Sequence, residues 1–203
     1  VLAGVNGAGK SSIGGAALRR RGAVWFNPDE LSRRLQNEVD ISKEEADSLA
    51  WMEGKARLEE ALSTGRSYAF ETTLGGSTFT RMLREACATH DVLIWYCGLA
   101  SSELHIERVR ARVAAGGHSI PEELIRRRWI SSMANLIALA PCVHTVQVYD
   151  NSHTVGVGTP VPAPIRVALV ERGILKIPDS FDARALAGTP VWARPLVASL
   201  FRG

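Results

Sequence analysis

Three observations on this 203-residue chain predict an α/β fold, with helices on both faces of a mostly parallel five-stranded sheet. Short apolar runs alternate with helical stretches as far as about residue 150. Val92–Cys97 is apolar without a break, as a strand buried on both faces requires. Gly4-Val5-Asn6-Gly7-Ala8-Gly9-Lys10-Ser11 spells G-x-x-x-x-G-K-[ST] directly after the apolar Val1-Leu2-Ala3, the strand, loop and helix order of a phosphate-binding loop.

Each element has a local reason. The loop opens a helix over Ser12–Arg21, and the Gly14-Gly15 pair, which lowers helix propensity, predicts a close approach of that helix to the sheet. Ala23–Phe26 is an apolar run of strand length. Asn27 then caps a helix with Pro28 at its first position. Ser42-Lys43-Glu44-Glu45 is a capping box for a helix to about Ser63, stopped at Gly65. Tyr68-Ala69-Phe70 forms the next strand, ending in Glu71-Thr72-Thr73, and a helix follows from about Ser77 to Ala88. After the strand at Val92–Cys97, Ser101 caps a charged helix that breaks at Gly116-Gly117, and Pro121 opens another that ends before Pro141. Thr145–Tyr149 is the last parallel strand, terminated by Asp150-Asn151-Ser152. Gly156–Pro164 reads as an exposed connection, and Ile165–Ile177, split by Glu171-Arg172-Gly173, as a hairpin ahead of a final helix. A single domain is expected over residues 1–203, with its core at 1–152 and an appendage at 153–203.

Composition narrows the function. An apolar fraction of 46% with 22% charged residues is that of a globular protein, and no apolar run approaches the ~18 residues of a membrane span. With a phosphate site beginning at residue 4, no cleaved leader is expected in the sequence given. Cys87, Cys97 and Cys142 lie in apolar or helical stretches and read as buried thiols in a reducing cytoplasm, neither a disulfide framework nor a metal site. The formal charge of +3 is too small to argue for nucleic acid, and the tryptophans are scattered instead of forming a stacking platform. Lys10, Lys43, Lys55 and Lys176 are the only lysines; arginine carries most of the positive charge, and its planar fork suits phosphate.

The loop's chemistry requires ATP or a similar triphosphate with Mg²⁺. Gly4, Asn6, Gly7, Ala8 and Gly9 curl backbone N–H groups toward one anion, and Ser12 follows within the same turn. Lys10 reaches the outer phosphates, and the Ser11 hydroxyl can ligate Mg²⁺. No Asn-Lys-x-Asp motif reads guanine, which favours ATP. An acid is missing from the end of Val92–Cys97, so Mg²⁺ would rest on Ser11, phosphates and water, with Asp29 or Glu71 nearby. Asp29, in a first helical turn, is either an ionised proton acceptor or a dipole-compensating cap. Glu71, at a strand end, either faces a cleft with ligand or metal, or is satisfied by the Thr72 and Thr73 amides. Asp150 reads as turn chemistry. The charged helices on either side of Gly116-Gly117 look like a mobile lid. Arg108 and Arg112 share a face, at most two of Arg126, Arg127 and Arg128 can face inward, and His118 sits at the hinge.

Together, Gly-x-Asn-Gly-x-Gly-Lys-Ser at 4–11, Phe26-Asn27-Pro28-Asp29, Phe70-Glu71-Thr72-Thr73-Leu74, the run from Arg108 through Gly116-Gly117-His118 to Pro121, Ile125-Arg126-Arg127-Arg128, and Tyr149-Asp150-Asn151-Ser152 resemble the zeta toxin family. These motifs occur in family order over about three quarters of the chain. The resemblance implies a P-loop kinase fold and ATP-dependent phosphorylation of a small metabolite, which in the best-known members is UDP-N-acetylglucosamine. It implies Asp29 as catalytic base, Lys10 as phosphate lysine, and Glu71 with Thr72 and Thr73 on the substrate side. Transition-state charge would come from Arg112, with the second cation His118 or Arg127. An antitoxin partner is a further possibility of the family. A kinase for NAD, a nucleoside or an antibiotic, and an ATP-binding switch that phosphorylates nothing, stay open as alternatives.

Overall fold

In the computed structural model, which describes residues 1–11, 14–15, 25–153, 162–179 and 182–201, local signals set the helix ends. Helix α1 (Pro28–Glu38) starts where the Asn27 Oδ1 accepts the Asp29 N–H at 3.0 Å. Helix α2 (Lys43–Thr64) opens on the reciprocal bonds of Ser42 and Glu45 and closes at Gly65, whose φ of 67° needs no Cβ. Helix α3 (Ser77–Ala86) ends short of the expected Ala88, at Cys87. Helix α4 (Ser102–Ala114) is capped by Ser101, and α5 (Glu122–Leu139) begins after Pro121.

The sheet contains strands β1 (Leu2–Ala3), β2 (Glu71–Thr72), β3 (Leu93–Gly98), β4 (Thr145–Asp150), β5 (Ile165–Glu171) and β6 (Ile174–Ile177), in the order β2-β1-β3-β4-β5-β6. The first four run parallel and the last two antiparallel. Phe26 makes a parallel bridge to Phe70 beyond β2. Ala23 and Val24 of the expected strand, and most of the expected helix Ser12–Arg21, lie outside the described residues.

Six strands replace the expected five among the described residues, because the 165–177 hairpin adds two to the sheet while Phe26 contributes only a bridge. Val170 lies opposite Val146 and Ala168 opposite Val148, all buried, so the hairpin covers what would otherwise be an open edge at β4. Its turn uses positive φ at both Arg172 (47°) and Gly173 (75°), the geometry that matches the strand twist of a tight hairpin.

Close approaches explain the small residues. Gly14 and Gly15 are helical and buried, and a Cβ on Gly14 would sit 2.3 Å from Leu2 Cδ1. A Cβ on Gly98 would meet the Trp192 ring at 2.2 Å. Trp192 belongs to a short turn (Val191–Ala193) between helices α6 (Ala183–Ala187) and α7 (Arg194–Ser199), and it is buried in the main core. The C-terminal segment therefore covers the sheet. Among the cysteines only Cys97 is buried; Cys87 is half-buried and Cys142 exposed, which corrects the expectation of three buried thiols. No helix among the described residues is long and apolar enough to cross a membrane.

Candidate functional site

The parallel strands bring Gly4, Thr73, Leu99 and Asn151 to one edge, at the point where the strand order leaves β1 in both directions, the usual ligand crevice of such sheets. Residues 4–11 curl there, with φ of 138° at Gly4, 83° at Gly7 and 86° at Gly9. A side chain at Gly4 would collide with the Cys97 carbonyl at 2.2 Å, and one at Gly7 with the His105 carbonyl at 2.8 Å.

The outer wall of this loop is tied down residue by residue. His105 Nδ1 donates to the Asn6 carbonyl (2.8 Å), Arg128 Nη1 donates to Asn6 Oδ1 (2.8 Å), and Asn151 Nδ2 donates to the Ala8 carbonyl (2.9 Å). Arg108 in turn donates to the carbonyls of Asn151 (2.7 Å) and His153 (2.8 Å). With its carbonyls held outward, the loop can turn N–H groups inward, the nest that anions occupy. His105 is 1% exposed; burial first, with Lys10 and Arg108 adding, pushes its pKa down to about 4 against the raising effect of its bond to Asn6. It is a neutral donor that positions the loop. His105 escaped the sequence analysis, although it lies with Arg108 and Arg112 at the i, i+3, i+7 spacing of one helix face.

Of the residues expected at the site, Ser11 and Glu71 are in contact, and Lys10 and Asp29 lie near enough to act on the Glu71 charge. The Ser11 hydroxyl donates to the Glu71 carboxylate, at 2.9 and 3.0 Å from its two oxygens. Glu71 is 4% exposed, and burial raises its pKa; Lys10, the Ser11 hydrogen bond and Trp25 pull it back down, while the negative charge of Asp29 raises it further. Asp29 is exposed at the start of α1. Thr72 and Thr73 lie beside Glu71 but use their hydroxyl oxygens within the turn, accepting from the Leu74 N–H (3.0 Å) and the Gly75 N–H (3.4 Å).

Asp29 lines a polar cavity of about 210 Å³. Its walls are Ser32, Arg33 and Gln36 of α1, Lys43 and Asp47 of α2, and the hinge Gly116-Gly117-His118. Ser32 Oγ donates to Asp47 Oδ1 (2.5 Å), Lys43 Nζ to Asp47 Oδ2 (2.6 Å), and Gln36 Nε2 to Ser32 Oγ (3.2 Å). Burial opposes the Asp47 charge, but the hydrogen bonds from Lys43 and Ser32 outweigh it and hold the carboxyl below its ordinary value. His118 is held below its ordinary value by burial, against the pull of Asp29. None of these α1 and α2 wall residues stood out in sequence, where they look like solvated helix faces.

The lid arginines separate by role. Arg112 folds back over Gly117 and donates to the His118 carbonyl (3.3 Å). Arg127 is exposed and has no hydrogen-bond or ionic partner among the described residues. Its neighbour Arg128 is the one that reaches the loop, and burial lowers its pKa while Asp29 supports its charge. Arg126 pairs with Glu103 and Arg110 with Glu122, exposed links between α4 and α5 worth little in stability.

Ser12, expected to help hold the nucleotide, lies outside the described residues. No group of three or more His, Cys, Asp or Glu among the described residues could hold a metal by itself. The site nevertheless fits a magnesium nucleotide, because the loop is an anion nest and Ser11 with Glu71 offers hard oxygens. Mg²⁺ asks for only one or two protein oxygens besides phosphate and water.

Residues 1–135 match the model of the AAA domain family (AAA_33). Among solved structures, a chain of the AvrRxo1-ORF1:AvrRxo1-ORF2 complex, crystallised with sulphate ions, superposes with a TM-score of 0.61 at 16% identity over 94% of this chain and 63% of that one. A chain of the PezAT chromosomal toxin–antitoxin system of Streptococcus pneumoniae gives 0.51 at 14% identity, over 73% of this chain and 65% of that one. A putative kinase from Chloroflexus aurantiacus gives 0.50 at 18% identity, over 62% and 76%. This chain thus spans less than two thirds of the AvrRxo1 and PezAT chains it resembles. No curated protein matches it. The shared feature is the kinase-like P-loop fold, with its nucleotide loop, that the sequence predicts. With that loop and the whole of β1 to α4 inside the matched stretch, the chain belongs to the AAA domain family.

Proposed function

We propose that this protein is an ATP-dependent small-molecule kinase of the zeta-toxin type, phosphorylating a hydroxyl of a sugar nucleotide such as UDP-N-acetylglucosamine. The observation that carries the reading is the position of Asp29, which is close enough to Glu71 to act on its charge and also lines a polar cavity. The wall of hydroxyl, amide, carboxylate and cationic groups suits a polyhydroxylated acceptor, and Arg33 and Lys43 suit one that carries phosphate.

In this reading ATP with Mg²⁺, held by Gly4, Asn6, Gly7, Ala8, Gly9, Lys10, Ser11 and Ser12, supplies the phosphoryl group and the metal charge that neutralises it. Asp29 holds the acceptor hydroxyl and takes its proton on a carboxylate oxygen. Lys10 and Arg128 keep positive charge beside the reacting oxygens, while His118, held below its ordinary pKa by burial, offers a neutral ring N–H, with Arg112 fixing the hinge that carries it. Arg127, exposed and without a partner among the described residues, takes no part in this arrangement. Glu71 holds Ser11 and offers its carboxylate to metal or substrate, and the Thr72 and Thr73 turn shapes the wall beside it. A protein antitoxin is a partner consistent with the toxin–antitoxin system to which the similar PezAT fold belongs.

The test is ADP release with magnesium and ATP, measured with and without a UDP-amino sugar. ADP release that depends on the sugar nucleotide supports the kinase reading. Release that ignores the sugar nucleotide and a panel of NAD, nucleosides and antibiotics would leave an ATPase or a switch.

A further inference from the structure

Cys87 follows α3 and Cys142 precedes β4, 55 residues apart in sequence, yet their sulfurs lie 3.4 Å apart. The pair sits where the C-terminal ends of α3 and α5 dock, a junction also bridged by Arg84 Nη2 donating to the Ala138 carbonyl (3.2 Å). Each thiol has a carbonyl acceptor in its own turn, Leu83 for Cys87 and Leu139 for Cys142, both at 3.2 Å. Cys142 is exposed and Cys87 half-buried, so a reagent in solution meets Cys142 first. Burial and the neighbouring Cys142 push the Cys87 thiol up to about 12, which assigns it the second step.

We propose that Cys87 and Cys142 form a dithiol site for small-molecule disulfides, which convert it to an intramolecular disulfide across the ends of α3 and α5. The Cys142 thiol loses its proton to solvent and attacks one sulfur of the reagent; the reagent's S–S bond breaks and one small thiol leaves. Cys87 then loses its proton and attacks the Cys142 sulfur of the mixed disulfide, expelling the second small thiol. The protein is oxidised by two electrons and the reagent reduced to two thiols. The sulfurs must close from 3.4 Å to about 2.05 Å, a movement within reach of side-chain rotation at an exposed cysteine.

The bond would close a loop of chain from Cys87 to Cys142 that carries β3, α4, the Gly116-Gly117-His118 hinge and α5. Helix α3 starts just after the Thr73–Gly76 turn, and α5 grips that turn through Ser131 to the Gly75 carbonyl (2.9 Å), Ser132 to the Thr73 carbonyl (2.7 Å) and Asn135 to the Leu74 carbonyl (2.8 Å). Helix α5 also carries Arg128. A bond between the far ends of α3 and α5 therefore fixes both helices behind Glu71 and Arg128, whatever reaction the site performs.

The test is incubation of the full chain with oxidised glutathione, followed by intact mass and peptide mapping. The expected product is about 2 Da lighter than the starting protein. It contains a Cys87–Cys142 cross-linked peptide, leaves Cys97 as the one alkylatable thiol after denaturation, and reverts with dithiothreitol. Cys87→Ser should stop at a glutathione adduct on Cys142, and Cys142→Ser should form no internal bond. A wild-type protein that stays unmodified, stops at the Cys142 adduct, or cross-links only between chains would overturn the proposal.

Discussion

Replacing Arg128 by alanine should damage the site, and replacing its neighbour Arg127 should not. Arg128 donates at 2.8 Å to Asn6 Oδ1, and Asn6 is only 5% exposed. Removing the guanidinium leaves that oxygen without its charged donor where water has little access, a loss of about 1–3 kcal/mol. For a chain of this length, with about 2–4 °C per kcal/mol, the thermal midpoint should fall by roughly 2–12 °C. If the same bond holds the loop in its reactive shape, kcat/KM for ATP should fall roughly 5- to 150-fold, since about 1.36 kcal/mol is a factor of ten. Arg127→Ala removes an exposed side chain with no described partner and should stay within about 0.5 kcal/mol of wild type. The assays are thermal unfolding followed by circular dichroism and steady-state ADP release. An Arg127→Ala loss equal to or larger than that of Arg128→Ala, in both assays, would refute the reasoning.

Other outcomes follow from the same geometry. Asp29→Ala should lower turnover by about 10²–10⁴-fold while ATP affinity, measured by titration calorimetry, stays within a few-fold; near-full turnover removes Asp29 from the base role. Because burial raises the Glu71 pKa above 4.5, the ligand-free fold binds more protons there than the unfolded chain does, so its stability should fall as pH rises from about 4.5 through the folded value. Glu71→Gln should remove that decline in pH-dependent unfolding while weakening metal-dependent turnover; an unchanged decline would contradict it. His105 titrates the other way: with its pKa lowered from 6.5 to about 4, stability present above 6.5 is lost as pH falls through about 4. At about 1.36 kcal/mol per pH unit that loss is of order 3 kcal/mol, and His105→Asn should show a smaller loss over this window in the same unfolding assay.

Local chemistry was legible in the sequence, because each signal is contained within a few residues. The Asn27 cap, the Ser42–Glu45 box, the Gly65 stop and the phosphate loop all fall where short-range rules put them. The small pair Gly14-Gly15 also announced its packing against the sheet correctly. Long-range pairing was hidden. Nothing within Ile165–Ile177 says that the hairpin will add to β4 instead of standing apart, since that depends on an edge made elsewhere in the chain. The cysteine contact spans 55 residues and leaves no local trace. The arginine triplet lies between these cases. Helical geometry points its members about 100° apart, but only the packing of α5 decides which is inside. Ile125 and Ser132, both fully buried, share a face with Arg128 at spacings of three and four, a clue readable once the buried positions are known. The cavity wall stayed hidden because Ser32–Gln36 and Lys43–Asp47 have the spacing of ordinary surface pairs.

The central claim is that phosphate moves from ATP to a hydroxyl placed at Asp29. The most direct measurement is the mass of candidate acceptors after incubation with the protein, ATP and magnesium, with the Asp29→Ala protein alongside. The account predicts a gain of about 80 Da, one phosphoryl group, on a UDP-amino sugar with the wild-type protein and none with the variant. An equal gain with both proteins, or no gain on any acceptor while ATP stays bound, would contradict it.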